Sequence, residues 1–428
     1  MSSPAVVPSR WESRIALALI ALVTILHLPA LLTPPFVADT LGAIDQALKS
    51  NAATWLEPTS TASGFYRPLS FWTLKLQVDL VGVHMPLFWA TNLALLCAVF
   101  LVVHRVACRL GATPLVAAAT LLVIAADGVW QVPMFWLSDR QALLAALFGW
   151  LAVLALLRRP DAWGALCAGI ALGAAALSKE TAYGYVPALL WLAWAKGERP
   201  LPKLAIIAAV AFAALTWRVW ILGGMLGGRF AASPDTAMSD RVAEYAWNVF
   251  ANFLGIFYRP FFDSIGRFDP SGPLAARGNW IFVTLALLAA AAVWLRPRAA
   301  VPLMLVIAGN ALVMFVEYRA RNHMPGFSAI GVLAALTLTA VSERRPRIAA
   351  AVAVMCAVAY AAGVGRNIRA YDAEASKILA IEPDLAPNAD LRAELIDTVR
   401  RHCLKGSRWC VIDPASLRTE TSHRANSP

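Results

Sequence analysis

Ionisable residues in this chain gather where apolar runs stop. Asp39 stands in TPPFVADTLG, a few residues past a run that ends near Leu32, and Tyr66 and Arg67 stand in GFYRPLSFW. Asp139 and Arg140 follow in FWLSDRQALL, Lys179 and Glu180 in LSKETAYGY, and Glu317, Arg319, Arg321 and His323 in FVEYRARNHMPG. Charges beside hydrocarbon are costly to keep, so each is a functional candidate by default. Carboxylates can move protons, and guanidinium or ammonium groups can hold an anion. The bland alternative is that each charge snorkels to water or meets a helix dipole, which accounts well for Arg140 or Lys179 taken singly. The set argues otherwise, because it mixes acids, bases and a histidine, whereas the remaining short loops carry almost only cations.

The elements that must position these residues are membrane helices. The chain is 59% hydrophobic and only 15% charged, with a mean hydropathy of +0.62, far more apolar than a soluble domain. Its apolar residues come in blocks near the ~20 residues that a helix needs to cross hydrocarbon. Spans are expected near 15–32, 86–104, 114–130, 138–157, 162–178, 183–195, 204–224, 279–295, 299–317, 325–342 and 347–364. The fold class is therefore an all-α polytopic membrane protein with about eleven transmembrane helices. The first run is expected to stay as a span, since no clear small-residue cleavage site precedes its prolines.

Orientation follows from the basic residues. With the N-terminus cytoplasmic, Arg10/Arg14, Arg105/Arg109, Arg158/Arg159, Lys196/Arg199/Lys203, Arg296/Arg298 and Arg344/Arg345/Arg347 all fall inside, as the positive-inside bias requires. The net charge of +11 is then topology beside anionic lipid, and no nucleic-acid partner is needed. Residues 1–365 form the membrane domain, and 366–428 form a short tail on the outer face. Cys403 and Cys410 lie in that tail, where an oxidising compartment permits a disulfide.

Two long loops also fall outside, about 34–85 and 226–277. Each holds an aromatic-rich amphipathic segment, 64–82 and 238–264, expected to lie at the interface as a helix, with Ser239 capping the second near Asp240. The acid-bearing junctions all reach this same face and could surround one cavity.

The order of these stretches resembles the GT-C membrane glycosyltransferases, within them the protein O-mannosyltransferase superfamily of glycosyltransferase family 39, including bacterial relatives of its tetratricopeptide-containing members. PFVADT supplies an acid after the first span, FYRPLSFWTLKL looks like the family's YRPL segment, and MPLFWATNLALL looks like the helix that follows. WLSDRQALLAALF, LSKETAYGYVPALL and RARNHMPGFSAIG are similar to three later junctions. Together they cover roughly residues 30 to 330.

The resemblance implies transfer of a sugar from a polyprenyl-phosphate carrier to a hydroxyl acceptor, a protein, glycan or lipid, on the outer face of a bacterial cytoplasmic membrane. Asp39 matches the base. Arg321, Arg319, Lys179 and Arg67 are donor-phosphate candidates, since cations must take up the charge of the leaving phosphate. Tyr66, Asp139, Arg140, Glu180, Glu317 and His323 are further outer-face candidates. No metal site or other cofactor is expected. Thr40 stands where the family usually has a second acid, with Asp45 six residues beyond Asp39. The tail contains a helix-like ADLRAELIDTVRRHCL but no repeat. Two readings from other classes stay open on the residues alone: a lipid or lipid-linked-sugar transporter, and a non-catalytic membrane subunit.

Overall fold

The computed structural model describes residues 10–28, 47, 66–125, 137–195, 199–223, 238–257, 279–313, 320–343, 345–380 and 411–412. Among them are thirteen α-helices: α1 Arg10–His27, α2 Pro68–Val81, α3 Met85–Arg109, α4 Pro114–Ala125, α5 Arg140–Arg158, α6 Ala162–Ala176, α7 Val186–Ala195, α8 Pro200–Leu222, α9 Met238–Phe257, α10 Asn279–Leu295, α11 Pro297–Leu312, α12 Met324–Ser342 and α13 Pro346–Ala380. The protein is a helical membrane protein. A helix stands at each of the eleven expected positions, and five are long and apolar enough to cross a membrane: 86–109, 140–158, 200–222, 324–342 and 346–365.

The starts of several helices are written locally. Pro68, Pro200 and Pro297 occupy first-turn positions, where a missing N–H costs nothing and the fixed φ suits the helix. Asp161 caps α6 by accepting from the Gly164 N–H at 2.7 Å. Some ends differ from the apolar runs. Helix α1 begins at Arg10 and α13 continues to Ala380, because ordinary helix formers such as Arg, Glu and Ala propagate the backbone whether or not they are apolar. The expected segment 238–264 is helical over Met238–Phe257, its remainder lying outside the described residues, so Ser239 lies inside the first turn instead of capping it.

The helices pack around a buried core of small and branched residues. Helix α12 lies at its centre, with Gly326, Ile330, Leu333, Ala334 and Leu336 buried. Short turns join helices at what we call the lower end. The Thr113 N–H there donates to Thr339 Oγ1 at 3.0 Å, Lys203 Nζ to Pro160 O at 3.1 Å, and Arg296 Nη2 to Glu343 Oε1 at 3.2 Å. The basic turns expected on one face are thus gathered at one end.

The opposite, upper end holds the starts of α2, α3, α5, α7 and α12 and the ends of α6, α8 and α11. Helix α2 turns Ser70, Leu74 and Val78 inward and leaves Leu76 and Leu80 outside, the periodicity expected of a helix lying on the bundle. A two-residue antiparallel ladder pairs Val83–His84 with Val411–Ile412, bringing that part of the tail to the upper end.

Candidate active site

Backbone contact brings the upper-end elements together. After α6 the chain passes Lys179 into a short 3₁₀ segment, Glu180–Tyr185. Gly184 in that segment lies against Gly309 and Asn310 of α11 so closely that a Cβ on Gly309 would stand 2.3 Å from Gly184 O. The Leu69 N–H donates to Leu177 O at 3.1 Å and fixes the start of α2 beside the same segment. Residues from six α-helices and three 3₁₀ segments then meet.

Arg67, just before α2, places Nε 3.1 Å from Glu180 Oε2, and its Nη2 donates to Oε1. Arg218, near the end of α8, has Nη1 3.9 Å from Glu180 Oε2 and donates to Tyr66 O at 3.1 Å. Trp217 Nε1 donates to Tyr66 Oη at 2.8 Å. Burial alone would raise the Glu180 carboxyl, but Arg67 first, then Arg218 and Lys179, hold it well below the usual carboxylate range.

Next along the chain, Lys179 Nζ donates to Asp139 Oδ1 at 3.2 Å, with side-chain exposures of 2% and 4%. Asp139 ends a 3₁₀ turn, Leu137–Asp139, and Arg140 opens α5. Arg140 is fully buried. Its Nε donates to Asn92 Oδ1 at 2.7 Å, and its Nη2 to Gln77 Oε1 at 2.9 Å and to Phe88 O at 3.3 Å. Snorkelling therefore does not describe Arg140 or Lys179. Both are held inside by partners from other helices, as an interior cation requires. Asp139 Oδ2 and Arg140 Nη1 are buried without a hydrogen-bond partner among the described residues.

His323, which precedes α12, joins three helices. Its Nε2 is 2.7 Å from Asn252 Oδ1 on α9, and its Nδ1 is 3.2 Å from Asn310 Oδ1 on α11. Burial lowers its pKa to about 3, and the Lys179 charge acts in the same direction. The ring is therefore neutral with one N–H. That N–H donates to one of two amide oxygens, Asn252 Oδ1 from Nε2 or Asn310 Oδ1 from Nδ1, while Asn310 Nδ2 donates to Asn322 O at 3.4 Å.

No protein-family model, curated protein or solved structure matches the chain. The functional reading therefore rests on this geometry and on the sequence resemblance.

Of the residues singled out from sequence, Tyr66, Arg67, Asp139, Arg140, Lys179, Glu180 and His323 come together in one connected group. Asp39, Glu317 and Arg319 lie outside the described residues, as do Thr40, Asp45, Cys403 and Cys410. Arg321 belongs to the 3₁₀ turn Ala320–His323 by its backbone, but its side chain is outside them too. Sequence reading passed over Arg218, Gln77, Asn252 and Asn310. Arg218 alone carried a signal, as a charge near the end of a span, but its apolar neighbours averaged it away. Among the described residues no three His, Cys, Asp or Glu side chains gather to hold a metal.

Chemically the group is a largely buried cluster of cations with internal counter-ions. Arg67 and Arg218 stand against Glu180 and Lys179 against Asp139, while Arg140 is held by amide and carbonyl oxygens. Such a balance at the ends of apolar helices suits the anionic head of an amphipathic molecule.

Proposed function

We propose that the chain is a glycosyltransferase that moves a sugar from a polyprenyl-phosphate carrier to a hydroxyl acceptor on the outer face of a bacterial cytoplasmic membrane. The observation that carries this reading is the cluster of four largely buried cations, Arg67, Arg140, Lys179 and Arg218, with two carboxylates, Asp139 and Glu180, among the described residues at the upper end of an apolar bundle. A lipid phosphate presents its charge at that depth while its polyprenyl chain stays in hydrocarbon. In this reading all eleven apolar helices span the membrane and the upper end faces outward.

The acceptor oxygen attacks the anomeric carbon as the bond from that carbon to the phosphate oxygen breaks. The bonding pair leaves with the lipid phosphate, and the hydroxyl proton passes to Asp39. Arg67 and Lys179, with Arg319 and Arg321 of the RARNH stretch, stabilise the charge that develops on the phosphate. The role of Asp39 comes from its match to the family's first-loop acid. Glu180 is held below the usual carboxylate range by its cationic partners, Arg67 foremost, which makes it a poor proton acceptor.

Asp39→Asn in purified membranes supplied with polyprenyl-phosphate sugars tests the reading. Loss of a positioned general base slows transfer by about 10²–10⁴-fold, while donor binding stays near wild type. Transfer at the wild-type rate removes Asp39 from the reaction, and donor that crosses the bilayer without transfer would point to a transporter.

A further inference from the structure

Two ion pairs stand side by side at the upper end, and they differ in kind. Lys179–Asp139 is closed off, with side-chain exposures of 2% and 4%. In Arg67–Glu180 the arginine is 10% exposed and the carboxylate 26%, and Arg218 approaches the same carboxylate with 11% of its side chain exposed. The acid is thus the outward member, and the two guanidinium groups lie behind it. A guanidinium fork that fits a carboxylate in bidentate fashion fits two phosphate oxygens equally well.

The surroundings indicate what kind of anion would arrive. Trp217 and Trp220 lie beside Arg218, with ring centroids 5.0 Å apart. They are 39% and 58% exposed, and Phe212 further along α8 is 71% exposed. Two exposed indoles on α8 thus lie next to Arg218 at the upper end. Trp217 is held in place by its bond to Tyr66 Oη, and Tyr66 O also accepts from Arg218, so the indole and the guanidinium are positioned by one residue.

We propose that Glu180 is the resident counter-ion of a two-arginine anion site formed by Arg67 and Arg218, and that the phosphate of a lipid displaces it while the apolar chain runs along Trp217, Trp220 and Phe212. This deepens the glycosyltransferase reading, on which it rests for the identity of the lipid, by making Glu180 an internal competitor that sets donor affinity. A competing carboxylate weakens binding of any anion at the site and keeps the arginines from holding the spent lipid phosphate after transfer. It also excludes neutral lipids, which cannot replace the lost ion pair.

The test measures binding of farnesyl phosphate and of inorganic phosphate to the purified full-length chain in lipid nanodiscs, together with melting temperature. Glu180→Gln keeps the shape and removes the charge, and is expected to tighten farnesyl phosphate binding about five- to tenfold. Arg218→Gln is expected to weaken it by a similar factor. Unchanged or weaker farnesyl phosphate binding in a Glu180→Gln protein of wild-type melting temperature overturns the proposal, because Glu180 would then orient Arg67 for the ligand. Should Glu180→Gln fail to fold, Glu180→Asp draws the carboxylate back by one methylene. Tightening there supports the proposal and wild-type affinity overturns it. Equal affinity for inorganic and farnesyl phosphate in the wild type overturns the lipid assignment. Sugar transfer is read separately on the same preparations. Tightened binding by Glu180→Gln with no transfer in the wild type supports the anion site and rejects the enzyme.

Discussion

Breaking the Lys179–Asp139 pair should cost far more than its removal as a unit. At 3.2 Å the Coulomb attraction of two unit charges is about 5 kcal/mol at an effective permittivity of about 20. Taking each ion out of water costs several kcal/mol, so the pair as a whole comes close to breaking even. Removal of one partner takes the compensation of this pair away from the other. Lys179→Met leaves Asp139 buried with Oδ2 already lacking a partner among the described residues, and Asp139→Leu leaves Lys179 buried at 2% side-chain exposure. Each single substitution is expected to destabilise by about 3–5 kcal/mol, and the double variant by no more than about 1 kcal/mol.

Tryptophan fluorescence during denaturant unfolding in mixed micelles, run on the wild type, the two single variants and the double variant, closes the cycle. Strong coupling is the expected result, with the double variant much less damaged than the sum of the singles. Two small, additive effects, each under about 1 kcal/mol, would mean that the pair behaves like a solvated surface ion pair. The burial on which the closed character of this corner depends would then be wrong. Asp139→Asn adds a sensitive check. It keeps the shape but cannot neutralise Lys179, so it should lie nearer to Asp139→Leu than to wild type.

Further expectations concern pH and packing. His323 has a folded-state pKa of about 3 against an ordinary value of 6.5. Between those values the unfolded chain binds a proton that the folded one does not, so stability falls as pH drops, by about 2–3 kcal/mol at pH 4.5. Glu180 is held below its ordinary 4.5, so its contribution is intact above that pH and is lost only further down. Stability measured from pH 7 to 5 should therefore show a slope that His323→Gln flattens and Glu180→Gln does not. An unchanged slope in His323→Gln would place the titrating group elsewhere. Gly309→Ala puts a methyl 2.3 Å from the backbone oxygen of Gly184, and overpacking of that kind costs about 1–3 kcal/mol or more. It should also move Lys179 and Glu180, so weaker lipid-phosphate binding is expected along with the lower melting temperature. Wild-type stability would show that the 3₁₀ segment can shift freely.

The helices were legible because the signals that make them are local. Apolar run length, first-turn prolines and the Asp161 cap are read within a few residues. Boundaries were less legible where helicity outlasts hydrophobicity, as at Arg10 and from Gly365 to Ala380. The site divides in the same way. Tyr66, Arg67, Asp139, Arg140, Lys179, Glu180 and His323 were visible as charges or polar groups at helix junctions. Their partners were not, because pairing is set by packing between residues far apart in sequence. Arg140 meets Asn92 and Gln77, 48 and 63 positions away, and His323 meets Asn252, 71 positions away. A neutral amide in an apolar helix gives no sequence sign that it will serve a cation. The same blindness made snorkelling look sufficient for Arg140 and Lys179.

Which partners these are has an electrostatic consequence. Lys179 and Arg67 face carboxylates, so much of their field is cancelled close by. Arg140 is held by Asn92, Gln77 and the Phe88 carbonyl, with its guanidinium 5.9 Å over the Phe88 ring. Dipoles and a ring face compensate its desolvation without cancelling its charge. Arg218 likewise takes its shorter contact, 3.1 Å, from a carbonyl and reaches Glu180 only at 3.9 Å. Fixed dipoles oriented in the fold thus keep a positive potential at the upper end that no side-chain carboxylate among the described residues fully quenches. They need not reorganise when an anion arrives, the condition under which electrostatic stabilisation is strongest. Replacing Asn92 by Asp would therefore do more than substitute one hydrogen-bond acceptor for another. It would cancel the charge of Arg140 while preserving its position, and lipid-phosphate affinity should fall even though the fold is kept.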